Sequence, residues 1–341
     1  MAIIYSKSAG LNNGAIGKLE TPIKMVIEHE SDLLTKQGGI RDWLFNVEKS
    51  SRFGETILGG NEFGTFQAAE EGSGAENDSI QETYKKFIEH VQFMKEFTIT
   101  AAMMEDANYG IAADGKRRAE NFTRAYYKTQ HQLCEFVLSH GTASTATFNR
   151  AVLDLTTGDN LPLFSTAHTF GTEGDTQSNK FWANLADVAA IEEYLAYAAA
   201  RIRNMKDENG MPLGYTADTI ILPGNRPLFE MKVKKVCGSD GALGNGYNDI
   251  NIQYGNWHIV VLPTWQATSD VMLVMSSEAN KNLCGNMFFN RIPLTVSNWV
   301  DNHTGNYIWN GRCRFGVGFG TYKHIILVEH NATALDGYTA L

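Results

Sequence analysis

From Tyr84 to Thr100 the chain alternates. Phe87, Val91, Phe93, Phe97 and Ile99 share one parity, and Lys86, His90, Gln92, Glu96 and Thr98 the other. That two-residue period predicts a strand with one wet face. An extended segment of that length reaches roughly 50 Å at about 3.3 Å per residue. It reads as the return arm of a hairpin running from Phe53 to Thr100. The tip, Glu70-Glu-Gly-Ser-Gly-Ala-Glu-Asn-Asp-Ser79, is rich in glycine and acid. So long an arm cannot bury itself on one small domain, which predicts that it lies on a neighbouring subunit.

The period then changes to that of a helix. Ala119, Phe122, Tyr126, Thr129, Leu133, Phe136 and His140 recur at spacings of three and four, the stripe of an amphipathic helix. With Asp114 as N-cap and Gly141 as stop, the helix covers Gly115–His140 and spans about 39 Å. Ahead of the hairpin, Gly10, Gly14, Gly17, Gly38 and Gly39 interrupt the chain. No period is sustained before Ile40-Arg-Asp-Trp-Leu-Phe45, so residues 1–45 read as an extended arm.

Beyond the long helix, an apolar face predicts a helix from Asn184 to Asp207. Thr219–Leu222 reads as a buried strand, Pro227–Cys237 as a helix stopped by Gly238, and 257–262 and 271–275 as strands. This alternation suggests a compact α/β unit. The lysines of its second helix, Lys232, Lys234 and Lys235, read as a solvated face or a contact with an acidic neighbour. The last third alternates again, over Ile292–Val300 and Tyr307–Phe319, and Lys323–Val328 closes the series. The apolar surface open to these strands is the long helix, which predicts a discontinuous domain with the α/β unit inserted.

Composition narrows the function. The chain has 341 residues, is 43% hydrophobic and 20% charged, and carries a formal charge of −9. That balance argues against a surface built to grip nucleic acid by neutralising phosphates, though not against one that faces it. No apolar run approaches the ~20 residues of a membrane span, and the N-terminus lacks the apolar core of a signal peptide. Four cysteines are widely spaced, which reads as free thiols with no zinc site.

Candidate chemistry is sparse. Gly110–Arg117 nearly matches a phosphate-binding loop, but Arg117 stands where the magnesium-binding hydroxyl belongs and no buried strand leads in. Gly316-Val-Gly-Phe-Gly320 sits inside an alternating strand and opens no helix, so it reads as close packing rather than a dinucleotide fingerprint. Cys237-Gly-Ser-Asp-Gly241 follows a helix rather than a strand, so it reads as a C-cap turn and not a nucleophile elbow. His29, His90, His168 and His258 show no metal-ligand spacing. No catalytic, cofactor or metal residue is assigned. A hydrolase triad assembled only in space stays open as an alternative.

The order of elements resembles the major capsid protein of tailed phages, the Hong Kong ninety-seven type of shell fold. Ile99-Thr-Ala-Ala-Met-Met-Glu-Asp-Ala-Asn-Tyr-Gly-Ile111 resembles the start of the spine helix in that family. Leu161-Pro-Leu-Phe-Ser-Thr-Ala-His168 is similar to a segment of Mu-like major head subunits. The resemblance implies an α+β fold with an N-terminal arm (1–45) and an extended loop hairpin (46–100). A peripheral domain follows, with its spine-helix part at 101–183 and its β-strand part and tail at 286–341. An inserted α/β axial domain fills 184–285. The implied role is a capsid subunit that forms hexamers and pentamers in an icosahedral shell, without enzymatic activity or cofactor. Its implied partners are other copies of itself, a scaffolding protein, a portal, a decoration protein, and double-stranded DNA that is faced but not specifically bound. The implied place is the virion, assembled in the bacterial host cytoplasm. Because the chain starts almost at the arm, the scaffold is expected to be a separate protein. Candidate inter-subunit contacts are Phe63, Phe66, Glu70, Glu71, Glu76 and Asp78 on the hairpin, meeting Arg117, Arg118 or Lys232 of a neighbour. An encapsulin-like nanocompartment shell is the alternative within the same fold.

Overall fold

The computed structural model describes residues 4–5, 15–60, 68, 82–105, 110–171, 174–238, 251 and 253–332. In chain order the elements begin with β1 (Ile4–Tyr5), α1 (Ala15–Gln37), α2 (Ile40–Leu44), β2 (Asn46–Lys49), β3 (Gly54–Gly60), β4 (Glu82–Glu89), β5 (Val91–Ile99), α3 (Ala101–Glu105) and α4 (Gly110–Ser139). Two small hairpins follow, β6 (Thr145–Phe148) with β7 (Ala151–Asp154) and β8 (His168–Phe170) with β9 (Asp175–Gln177). Next come β10 (Lys180–Ala183), α5 (Val188–Arg203), β11 (Thr219–Pro223), α6 (Pro227–Gly238), β12 (His258–Leu262), β13 (Val271–Met275) and α7 (Ser277–Asn282). The described chain closes with β14 (Asn286–Val300), β15 (Tyr307–Phe319) and β16 (Ile325–His330).

Mixed helices and sheets make this an α+β fold, as expected. One sheet has the order β1-β14-β15-β5, with β2 also on β14, and the other the order β10-β16-β13-β11-β12. The long helix α4 packs on the first sheet: Phe122 lies 5.3 Å from Phe97, edge to face. Gly311 on β15 explains how close the helix comes. A Cβ there would sit 2.2 Å from Phe122 Cζ, so the apolar parity of β15 breaks where the helix needs the room. The early helix and the strands β14 and β15 therefore share one core, as the pattern predicted. Glu135 on α4 accepts the Thr264 amide at 2.8 Å, which ties the helix to the turn after β12.

Several expectations give way. Residues 1–45 are not an extended arm, because α1 and α2 occupy most of the stretch. Ile23, Val26, Ile27, Ser31 and Leu34 recur at helical spacing, with Ile23, Ile27 and Ser31 buried. That stripe packs α1 on α4, where Ser31 Oγ and Tyr127 OH lie 2.7 Å apart. Gly17, which suggested a break, lies within the helix, as does Pro22, and the chain turns only at Gly38, whose φ of 66° suits glycine.

The return arm is not one strand. It breaks at His90, and the two halves have different partners: β4 pairs with β3, whereas β5 pairs with β15 of its own chain, from Ile99↔Tyr307 to Val91↔Phe315. The half expected on a neighbour thus lies largely in the chain's own sheet. At the break the buried parity also switches. Phe93, Phe97 and Ile99 turn inward as predicted, but in β4 it is Lys86 and Ile88 that are buried while Phe87 is 49% exposed.

The spine helix starts at Gly110, before the predicted cap. Asp114 lies inside it and reaches forward to Arg117 at 3.2 Å and Arg118 at 2.8 Å. The near phosphate loop is therefore helix. The last strand, β16, does not join the late series. It pairs with β10 and β13 in the second sheet.

Gly311→Ala should lower unfolding stability by about 1–3 kcal/mol, the usual cost of overpacking. A urea midpoint that shifts at unchanged slope is the check.

Candidate assembly site at the hairpin root

The hairpin β3–β4 has two unlike faces. On the inner face Ile57 and Ile88 pack against Met287 and Phe289 of β14, in a small cluster of their own. Each fully buried isoleucine contributes about 1.5–3 kcal/mol, so this seat is modest beside the two large cores. Lys86 joins it: its Nζ donates to Asp154 Oδ2 and to Thr156 Oγ1, each at 2.6 Å. The lysine is only 5% exposed, and a cation that buried needs such partners. Next to it the Tyr84 ring lies against Gly59 and Gly158, where added Cβ atoms would come within 2.2 and 2.0 Å. Burial pushes the Tyr84 hydroxyl up to about 12.

The glycine run of β15 makes the seat possible. A Cβ at Gly316 would meet His90 Nδ1 at 2.7 Å, and one at Gly318 would meet Ile88 Cδ1 at 2.8 Å. These are even positions, on the face opposite Gly311, so β15 is approached closely from both sides. The close-packing reading of Gly316–Gly320 therefore stands. His90 marks the break itself. Ser50 Oγ donates to Glu55 at 2.6 Å and accepts from His90 Nε2 at 2.7 Å, linking both legs of the hairpin. Burial, then the charge of Arg314, holds the His90 pKa below its ordinary value. For Asp154, burial acts to raise the pKa, but the hydrogen bonds from Lys86 and Thr156 outweigh it and hold the carboxyl below its ordinary value.

The outer face exposes apolar side chains among the charged Lys85 and Glu89. Phe53, Leu58 and Phe87 are 59%, 52% and 49% exposed. Phe53 stacks on Phe87 at 6.4 Å, with the Arg314 guanidinium 5.2 Å from the Phe53 ring centre. Exposed apolar groups gathered in this way mark interaction surfaces.

Phe63, Phe66, Glu70, Glu71, Glu76 and Asp78 lie outside the described residues. Of the basic candidates, Arg117 is 75% exposed near the start of α4. Arg118 is tied into its own chain, donating to Thr98 O at 2.7 Å as well as to Asp114. Lys232, on α6, donates to Ala186 O at 2.7 Å. The three are thus split between two helices.

The possible triad can be examined at His168, which is fully buried. Its Nδ1 lies 2.7 Å from Asp159 Oδ2 and its Nε2 3.2 Å from Leu163 O, while the ring stacks on Tyr322 at 3.7 Å. Both nitrogens serve the loop that carries them, and neither faces a nucleophile. Among the described residues no cluster of histidine, cysteine, aspartate and glutamate could hold a metal. The four cysteines are free, with Cys237 at the buried end of α6, where burial pushes its thiol up to about 11. No helix among the described residues is long and apolar enough to cross a membrane.

Neither a protein-family model nor a curated protein matches the chain. Solved structures do. The capsid of Myoviridae phage XM1 superposes with a TM-score of 0.50 at 14% identity, over 86% of this chain and 90% of that one. The virus-like particle from Pyrococcus furiosus superposes with a TM-score of 0.50 at 9% identity, over 91% of this chain and 98% of that one. The fold is the shell fold of these particles. The overlap takes in most of the chain. Sequence reasoning had reached the shell fold and its hairpin, but not the seat. Lys86 stood on the parity taken to be wet, and only the even-numbered glycines of β15 signalled that something lay against them.

Lys86→Met should leave the core folded and loosen the hairpin, with amide exchange at Ile57 and Ile88 faster by about tenfold and β14–β15 unchanged. A pH dependence follows from Asp154. Its folded pKa is depressed, so its contribution is complete above about pH 4 and is lost as pH falls through the folded value. Hairpin protection should drop in that acid range in the wild type and show no such step in Lys86→Met.

Proposed function

We propose that this chain is the major capsid subunit of a tailed phage, a structural protein that assembles with copies of itself into a closed icosahedral shell around the genome. The observation that carries the reading is the coverage of the shell fold: 86% of this chain and 90% of the phage XM1 capsid chain correspond. The hairpin supports it independently. Its inner face is seated on its own body while its outer face exposes Phe53, Leu58 and Phe87, and a neighbouring copy is the natural cover. Net acidity suits a wall that must enclose DNA without holding it.

The same proposal includes hexamers and pentamers as building units, assembly in the bacterial cytoplasm, residence in the virion, and a separate scaffold, portal and decoration protein as partners. The tip acids at Glu70, Glu71, Glu76 and Asp78 would meet the exposed Arg117 of a neighbour. An exposed pair of that kind is worth about 0–1 kcal/mol, so shape complementarity of the seated hairpin must supply most of the contact. An encapsulin-like nanocompartment shell is the alternative within the same fold, and the contents of the shell separate the two.

Purified protein should sediment as capsomers or closed particles and appear as uniform shells by negative-stain electron microscopy. Particles from phage-producing cells should protect DNA from nuclease; particles filled with protein and no DNA would favour the nanocompartment. Replacing residues 61–81 with a short Gly-Ser linker should leave a folded subunit of unchanged melting temperature that no longer forms shells. A chain that stays monomeric at high concentration under all assembly conditions would refute the proposal.

A further inference from the structure

Two features remain unused by the hairpin and spine, and their chemistries match. The first is the tip of the small hairpin β6–β7. Its strands pair up to Phe148↔Ala151, so Asn149 and Arg150 form a two-residue loop. Both have positive φ, 46° and 74°, the pattern of a type I′ turn. Asparagine tolerates that backbone, but the second position favours glycine, and an arginine there is sterically disfavoured. The arginine is exposed, and Val152 behind it is 70% exposed. Among the described residues Arg150 has no hydrogen bond or ion pair. A strained, exposed cation with no partner among the described residues gives nothing to the fold of its own chain.

The second feature is an open cleft of about 520 Å³ beside β12, the end strand of the second sheet. Trp43 from α2 lines it with Asp218, Trp257, His258 and Ser277. Trp43 is 55% exposed and meets the His258 ring edge-on at 6.3 Å. Asp218 is fixed in place through one oxygen: Oδ1 accepts from Thr219 Oγ1 at 2.8 Å and from Ser277 N and Oγ at 3.0 Å each. None of these donors uses Oδ2. Aromatic faces beside an oriented carboxylate are what a guanidinium stacks on and pairs with.

We propose that this cleft receives the Arg150 side chain of a second copy of the chain. The inference rests on the reading of the protein as a self-assembling shell subunit, and deepens it by naming one contact. Repeated head to tail, with the tip of each copy in the cleft of the next, the contact is heterologous, the kind that propagates from copy to copy and closes rings. Arginine and tryptophan are also the residues in which interface energy concentrates.

The test compares shell yield with subunit stability. Arg150→Gly relieves the turn, so the free subunit should melt at or above the wild-type temperature while shell yield falls about tenfold or more, as loss of an interface hot spot predicts. Trp43→Ala, on an exposed side chain, should lower yield likewise without unfolding the subunit. Mixed Arg150→Cys and Trp43→Cys chains, whose thiols lie too far apart for a direct disulfide once the long side chains are gone, should be joined between copies in assembled particles by a bis-maleimide whose spacer matches an arginine side chain. Wild-type particles together with unchanged yield from Arg150→Gly, or no crosslink between the mixed chains, would overturn the contact and leave the shell reading intact. No particles from any variant, wild type included, would overturn both.

Discussion

The fold depends on how closely β15 can be approached from its two faces. On one face Gly311 admits Phe122 of the spine helix, and on the other Gly316 and Gly318 admit His90 and Ile88 of the hairpin root. Between them the odd-numbered Phe315, Val317 and Phe319 fill the core. Side chains at those glycines would push the helix off the sheet or lift the hairpin from its seat. One strand therefore fixes both the rod that stiffens the subunit and the arm that reaches out from it.

The two attachments differ in strength. The helix shares the largest core with β5, β14 and α1, whereas the root of the hairpin has one small apolar cluster and the Lys86–Asp154 pair. In the proposed shell, a subunit that first folds alone and then fits neighbours at slightly different angles would need this ranking. Its body has to be rigid, and its arm has to be placed without being locked. The exposed outer face of the root and the strained tip at Arg150 are costs to the isolated chain that only contact with other copies would offset.

Much of this was legible in residue patterns, for identifiable reasons. The long stripe from Ala119 to Phe136 and the alternation of β5 and β15 each face a single large core, so their periods are clean. The helix α1 was hidden because Gly17 and Pro22 stand among its first residues, although Ile23, Val26, Ile27 and Leu34 carry the right spacing. Tertiary packing on α4 outweighed local propensity there. The hairpin root misled through Lys86 and Phe87. Alternation identifies two faces but not which is buried, and the break at His90 exchanged them. The placement of β16 was unreadable because its buried run, residues 325–328, carries no polar parity to say which sheet it joins.

In the proposed shell the seated hairpin presents its outer face to another copy of the chain. An electron cryomicroscopy map of assembled particles, resolved to side chains, tests it most directly. The account predicts Ile57, Ile88 and Lys86 against their own β14 and β7, with Phe53, Leu58 and Phe87 covered by a neighbouring subunit. A closed particle in which those three side chains remain open to solvent would contradict it.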